Sequence, residues 1–177
     1  MKKKRNLIII LSILLLITVS TTIAFLSKKN NINNDFIVGT VSTQVDETFE
    51  NNIKEDVSIK NTGNVDSYIR AFILISYKDE DGVILTDTPI LNTDYSMTIS
   101  NSTNWIYSNT DGFYYYKLPV EPNNNTDILI DECRELQSHN GKILNVDIIT
   151  ESIQATPADA VEEAWGVSIT NNELSLS

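Results

Sequence analysis

A chain of 177 residues suits one domain with a substantial core and leaves little room for a second. It holds 24 Asp and Glu against 13 Lys and Arg, a net charge of −11, and such an acidic surface repels nucleic acid and anionic lipid headgroups. Cys133 is the only cysteine, which excludes an internal disulfide framework and leaves stability to packing.

The basic tetrad Lys2, Lys3, Lys4 and Arg5 opens the chain, and an uncharged apolar run from Asn6 to Ser27 follows. Thr22 and Ala24 are small enough for a signal-peptidase cleft. A charged start, an apolar middle and a small-residue exit form a secretory signal over residues 1–24, helical while it crosses the membrane, with cleavage between Ala24 and Phe25. The competing reading is a retained anchor, because about 20 apolar residues span a bilayer. In either case Lys2 to Arg5 stay on the cytoplasmic side. The signal takes four of the basic residues and none of the acidic ones, so the remaining 153 residues carry a net charge of −15.

Residues 27–35 are rich in Lys and Asn and have little to bury. From Phe36 to Asp46, β-branched and polar residues alternate, with Val41, Thr43 and Val45 on one face, which predicts a half-buried strand. Val57 and Ile59 mark another strand, closed by Asn61-Thr62-Gly63-Asn64 as a turn. Tyr68 to Tyr77 is apolar on nearly both faces and reads as a central strand covered on both sides. Asp81-Gly82 turns it into a hairpin that returns through Val83-Ile84-Leu85. Residues 87–104 read as a long surface excursion, with Met97 and Ile99 in a short strand.

A second hairpin follows, Trp105 to Tyr107 and Phe113 to Leu118 around Asp111-Gly112. Alternation within it sets Tyr115 opposite Tyr114 and Tyr116, so no three-ring ligand platform forms. Pro119 and Pro122 break the ladder, and Ile128-Leu129-Ile130 and residues 143–153 supply further strands. One helix is expected, capped by Thr156, with Pro157 at its first position, Ala160, Val161 and Trp165 facing inward and Gly166 closing it. The tail from Val167 to Leu176 offers one last strand. The pattern predicts an all-β fold, an antiparallel jelly-roll-like β-sandwich with one short C-terminal helix, preceded by the N-terminal signal helix.

No constellation carries catalytic chemistry. A histidine-based zinc site needs more than His139, the only histidine. Cys133 and His139 lack a nucleophile motif, and Cys133 reads as a small, partly buried apolar residue. Asp79, Glu80 and Asp81 lack the spacing of a calcium loop, and Glu162 and Glu163 point to different sides of a helix. No catalytic residue, metal ligand or cofactor is therefore expected.

Four blocks in order resemble the TasA and camelysin group of exported proteins, in particular the BsaA-type biofilm matrix proteins. The first is Ile23-Ala24-Phe25-Leu26-Ser27 followed by Phe36-Ile37-Val38-Gly39-Thr40-Val41. The second runs from Val57 through Asn61-Thr62-Gly63 to Tyr68-Ile69-Arg70. The third is Trp105 with Asp111-Gly112-Phe113-Tyr114-Tyr115-Tyr116, Leu118 and Pro122. The fourth is Glu151-Ser152-Ile153-Gln154-Ala155 with Trp165. Leu26 stands where the group has an aromatic residue, Lys28 where it has an acidic one, and Asn123 where it has a glycine.

The resemblance implies a secreted structural subunit, processed by a signal peptidase of the SipW type. It would polymerise with itself in the extracellular matrix or on the cell surface of a Gram-positive bacterium, beside other matrix or cell-wall components. It implies residues 25–45 as an assembly strand, with Phe25, Leu26, Phe36, Ile37 and Val38 donated to a neighbour, and residues 46–177 as the sandwich. The membrane is touched only through the signal segment. The rival readings are a camelysin-like surface metallopeptidase, for which no ligand cluster is evident, and an anchored ligand-binding module using Trp105 and the tyrosines.

Overall fold

The computed structural model describes residues 39–50 and 53–176. The signal segment, the cleavage pair Ala24 and Phe25, and the assembly residues Leu26, Phe36, Ile37 and Val38 lie outside the described residues.

The described residues form ten strands and one helix. In chain order these are β1 (Thr43–Glu50), β2 (Ile53–Asn61), β3 (Ser67–Lys78), β4 (Tyr95–Ile99), β5 (Trp105–Tyr107), β6 (Tyr114–Tyr116), β7 (Ile130–Glu135), β8 (Ile143–Gln154), α1 (Ala158–Trp165), β9 (Val167–Thr170) and β10 (Glu173–Leu176). One sheet runs β1-β2-β7-β4, the other β5-β6-β3-β8, and β9 pairs with β10. All these strand pairs are antiparallel. The fold is the expected all-β sandwich with a short C-terminal helix.

β3 is the spine, matched to β8 from Ser67↔Gln154 to Lys78↔Ile143. Its apolar run serves two cores, because alternate side chains point to opposite faces. Ile69 and Ala71 join Val57, Ile59, Trp105, Tyr116, Leu129, Ile130 and Cys133 between the two four-stranded sheets. Tyr68, on the other face, joins Tyr115, Val161, Val167 and Leu174 beneath α1 and the β9–β10 hairpin. The molecule is thus layered, and the tyrosine run supplies Tyr114 and Tyr116 to one core and Tyr115 to the other.

Several local expectations are corrected. The Asp81-Gly82 turn forms, but Val83-Ile84-Leu85 does not return as a strand: a single bridge joins Ile84 to Lys78, and Val83 and Ile84 are exposed. The arm meets the end of β3 on the side away from β8, through the Ile84 bridge and a Leu85 N–H to Tyr77 O hydrogen bond, and Pro89 just beyond cannot donate to a ladder. The excursion over residues 87–104 is not all surface, since Asp94 and Tyr95 are buried. Thr156 does not cap the helix: Pro157 is the N-cap residue in an extended conformation, without a side-chain cap, while Gly166 ends α1 at φ 64. Val161 is buried and Trp165 packs partly, but Ala160 is exposed. The tail makes two strands rather than one.

β7 is the strand least visible in the sequence. Its register against β4 shifts between Glu132 and Ile130, and opposite it Asp56 on β2 sits at φ 54. A bulge of this kind interrupts the two-residue period, so Ile130 and Cys133, three apart, both reach the core.

Candidate functional site

Residues scattered through the sequence meet at Arg70. Its guanidinium lies 4.2 Å from the ring centre of Phe113, 4.9 Å from Trp165 and 5.5 Å from Tyr115. Nε and Nη2 donate to Glu151 Oε2 at 2.9 and 2.7 Å, and Nη1 donates to the Tyr115 hydroxyl at 2.7 Å. That hydroxyl donates onward to Asp111 Oδ2 at 2.6 Å. Burial alone would lower the Arg70 pKa, but the bonds to Glu151 and Tyr115 outweigh it and raise it. Burial raises Tyr115, reinforced by Asp111. With both its ion partners and its ring faces engaged, the guanidinium cross-ties β3, β6, β8 and α1.

A second junction holds the N-terminal edge of the described chain. Asn61 is fully buried, donating through Nδ2 to the carbonyls of Val65 and Val120 at 2.8 and 2.7 Å and accepting from the Gly63 N–H at 2.9 Å. The turn it braces grips residues 40–42: Thr62 N–H donates to Ser42 O, Asn64 N–H to Thr40 O, and Thr40 N–H to Asn64 Oδ1. A Cβ on Gly63 would stand 2.2 Å from Thr40 O, so the close approach of two backbones demands glycine here.

The third junction is Asp127. It accepts from Ser102 Oγ at 2.5 Å, Asn104 Nδ2 at 2.9 Å and the Tyr116 hydroxyl at 3.0 Å, while its backbone carbonyl accepts from Trp105 Nε1. The Ser102 hydrogen bond leads in lowering its pKa, against an opposing effect of burial. Trp105 and Tyr116 are buried, which removes them as a ligand surface, whereas Tyr107 is half-exposed on the edge strand β5.

The reactive-looking residues are occupied elsewhere. Cys133 is buried in the main core and burial pushes its thiol pKa up, the reverse of an activated nucleophile. His139 sits against Asp94 at 2.9 Å and packs on Tyr77. Asp94 is held low first by the Ile90 N–H and then by His139. Asp79 accepts the N–H groups of Asp81 and Val83 and so closes its own turn. Glu162 accepts the Ile169 N–H, joining α1 to β9. Among the described residues no cluster of His, Cys, Asp or Glu is arranged to hold a metal ion, and no helix is long and apolar enough to cross a membrane.

Among the described residues, the flank of the sandwich between β1 and β8 is open. At one end Thr43 Oγ1 and Thr150 Oγ1 meet at 2.8 Å and close it. Toward the other end a cavity of about 310 Å³ opens, bordered by β8 from Ile143 to Asp147, by Cys133 and Glu135 on β7, and by Glu47 and Lys54. Among the described residues β8 has β3 on one side and no strand on its other side. Its core-facing residues Leu144, Val146 and Ile148 are only partly buried, and Ile143 is 55% exposed.

Comparisons with protein-family models, curated proteins and solved structures found no match.

Across the opening, Lys54 Nζ donates to the carbonyl of Val146 at 2.8 Å and pairs with Glu47 at 2.8 Å. Sequence reasoning missed Lys54. Counting by twos from Val57 and Ile59 would place it on the outer face; only the irregularity at Asp56 turns it inward. The tolerance of Asp for positive φ was the one available hint.

Proposed function

We propose that this chain is an exported structural subunit of an extracellular fibre, in which the N-terminal segment of one copy completes the sandwich of the next. The observation that carries this reading is the open flank at β8, among the described residues an unpaired edge strand whose core-facing side chains are only partly buried. An edge of this kind offers unpaired backbone groups and apolar positions at two-residue spacing to an added strand. Backbone hydrogen bonds supply affinity, and a head-to-tail contact that does not close on itself yields a filament. The TasA and camelysin resemblance supports the same conclusion. Its residues from the described part of the chain fall largely in the Arg70, Asn61 and Asp127 junctions, where they hold layers together instead of forming a reaction centre.

The test is removal of residues 25–38. This leaves β1 whole and keeps the grip of Asn61-Thr62-Gly63-Asn64 on residues 40–42; the expected domain start at Asp46 falls in the middle of β1. Light scattering and electron microscopy should show fibres from the natively processed chain and monomers from the shortened one. Equal fibre formation by both would defeat the reading.

A further inference from the structure

The irregularity that hides β7 also sets an anomaly on the inner side of the sandwich. Lys54 pairs in register with Cys133, and both border the cavity beside β8. The lysine side chain is only 12% exposed, and its ammonium is bonded to a carbonyl of the edge strand. β2 is an inner strand of its own sheet, but Lys54 carries its charge across to the open edge at β8, and a charge held at such an edge is costly to bury and discourages strand pairing. The cavity rim is otherwise acidic, carrying Glu47, Glu135 and Asp147 over a floor of Cys133, Leu144 and Val146. The stretch just after the expected cleavage point, Phe25-Leu26-Ser27-Lys28-Lys29, has the complementary character. It sets two apolar residues beside two lysines in a chain that is otherwise strongly acidic.

We propose that this cavity is the acceptor site for Phe25 to Lys29 of a second copy, and that Lys54 guards it. The proposal rests on the fibre reading above and adds to it the place and the gate. An apolar side chain of the incoming strand fills the floor, and Lys28 and Lys29 meet the acidic rim. The Lys54 ammonium gives up the Val146 carbonyl to a backbone N–H of the arriving strand and stays paired with Glu47. Until that happens, the lysine satisfies the exposed carbonyl and holds the place of the missing strand.

The experiment uses a fluorescent peptide with the sequence of residues 25–38, titrated into the natively processed chain below the concentration at which fibres form. Lys54→Met keeps the apolar stem and removes the guard, and should tighten peptide binding about tenfold, the scale of one charge-assisted hydrogen bond. Lys54→Arg keeps the charge and should leave binding near that of the unaltered chain. Glu135→Lys with Asp147→Lys should weaken binding about tenfold. A peptide carrying Lys28→Glu and Lys29→Glu should regain it on that doubly reversed chain alone. Binding indifferent to Lys54→Met, or no recovery in the charge-swapped pair, overturns this assignment. Fibres from the unaltered chain alongside such a result leave the fibre reading standing; absence of fibres from the unaltered chain defeats both.

Discussion

Arg70 shows most clearly how single side chains hold this protein together. Its side chain is 15% exposed while that of Glu151 is 47% exposed, so the two partners of one ion pair are not equivalent. Arg70→Ala strips three rings of their cation and leaves the Tyr115 hydroxyl without its donor. It should cost about 2–3 kcal/mol in urea unfolding, chiefly from the lost stacking and packing of the guanidinium and its stem. Glu151→Gln removes only a solvent-screened charge and should cost about 1 kcal/mol or less. Arg70→Lys should behave more like the alanine change, because an ammonium cannot stack and fork at once. Asp127 belongs to the same scale but reports on pH. Its folded pKa is depressed, led by the Ser102 hydroxyl, so its contribution is present above the ordinary carboxylate pKa and is lost as pH falls through the folded value. Urea midpoints should therefore decline from about pH 5 downward, and Asp127→Asn should make that decline shallower. An unchanged pH slope in Asp127→Asn would show that this carboxylate is not among the groups responsible. The residues around Arg70 stood out in the sequence as parts of a resemblance, whereas Ser102, Asn104 and Asp127 did not. That Arg70 and Glu151 touch did not, because 81 positions separate them and only the β3–β8 register brings them together.

Among the elements, the turn after β2 and the end of α1 make opposite demands on glycine. At Gly63 a side chain meets backbone, with Thr40 O 2.2 Å from a Cβ, so Gly63→Ala should cost about 1–3 kcal/mol, the usual range for overpacking. Hydrogen exchange at the Thr62 and Asn64 amides, which hold residues 40–42, should speed up in that variant. Gly166 has open space around a Cβ but sits at φ 64, so Gly166→Ala should cost about 1 kcal/mol from conformation alone and fray the end of α1. Strands with regular alternation or a long apolar run, β2, β3 and β8, were legible in the sequence, as were the second hairpin and the glycine stop of α1. β7 was not, because its Asp131-Glu132-Cys133-Arg134-Glu135 carries four charges and a bulge scrambles its period. The arm at Val83 misled for the opposite reason. Its β-branched residues and Asp-Gly turn satisfy every local rule, yet it holds the end of β3 through a single bridge before Pro89 interrupts any ladder. Lys54, the side chain on which the acceptor site turns, was illegible for the same reason as β7.

For the whole molecule, charge and an unfinished sheet edge set the behaviour. The 153 residues from Phe25 onward carry a net charge of −15, and their mutual repulsion opposes association at neutral pH. Acidification toward pH 4 neutralises part of that charge and should raise light scattering while the β-sheet circular dichroism signal persists; flat scattering over that range would contradict this. The central claim is that the segment beginning at Phe25 lies against β8 of another copy, and Cys133 on the cavity floor gives it a direct test. Phe25→Cys and Leu26→Cys each supply a second thiol, and successive residues of a strand face opposite sides. Fibres of each variant, treated with oxidised glutathione and run on a non-reducing gel, should form a ladder of disulfide-linked subunits at one of the two positions, lost when Cys133 is changed to serine. Fibres that yield no ladder from either position would contradict the account.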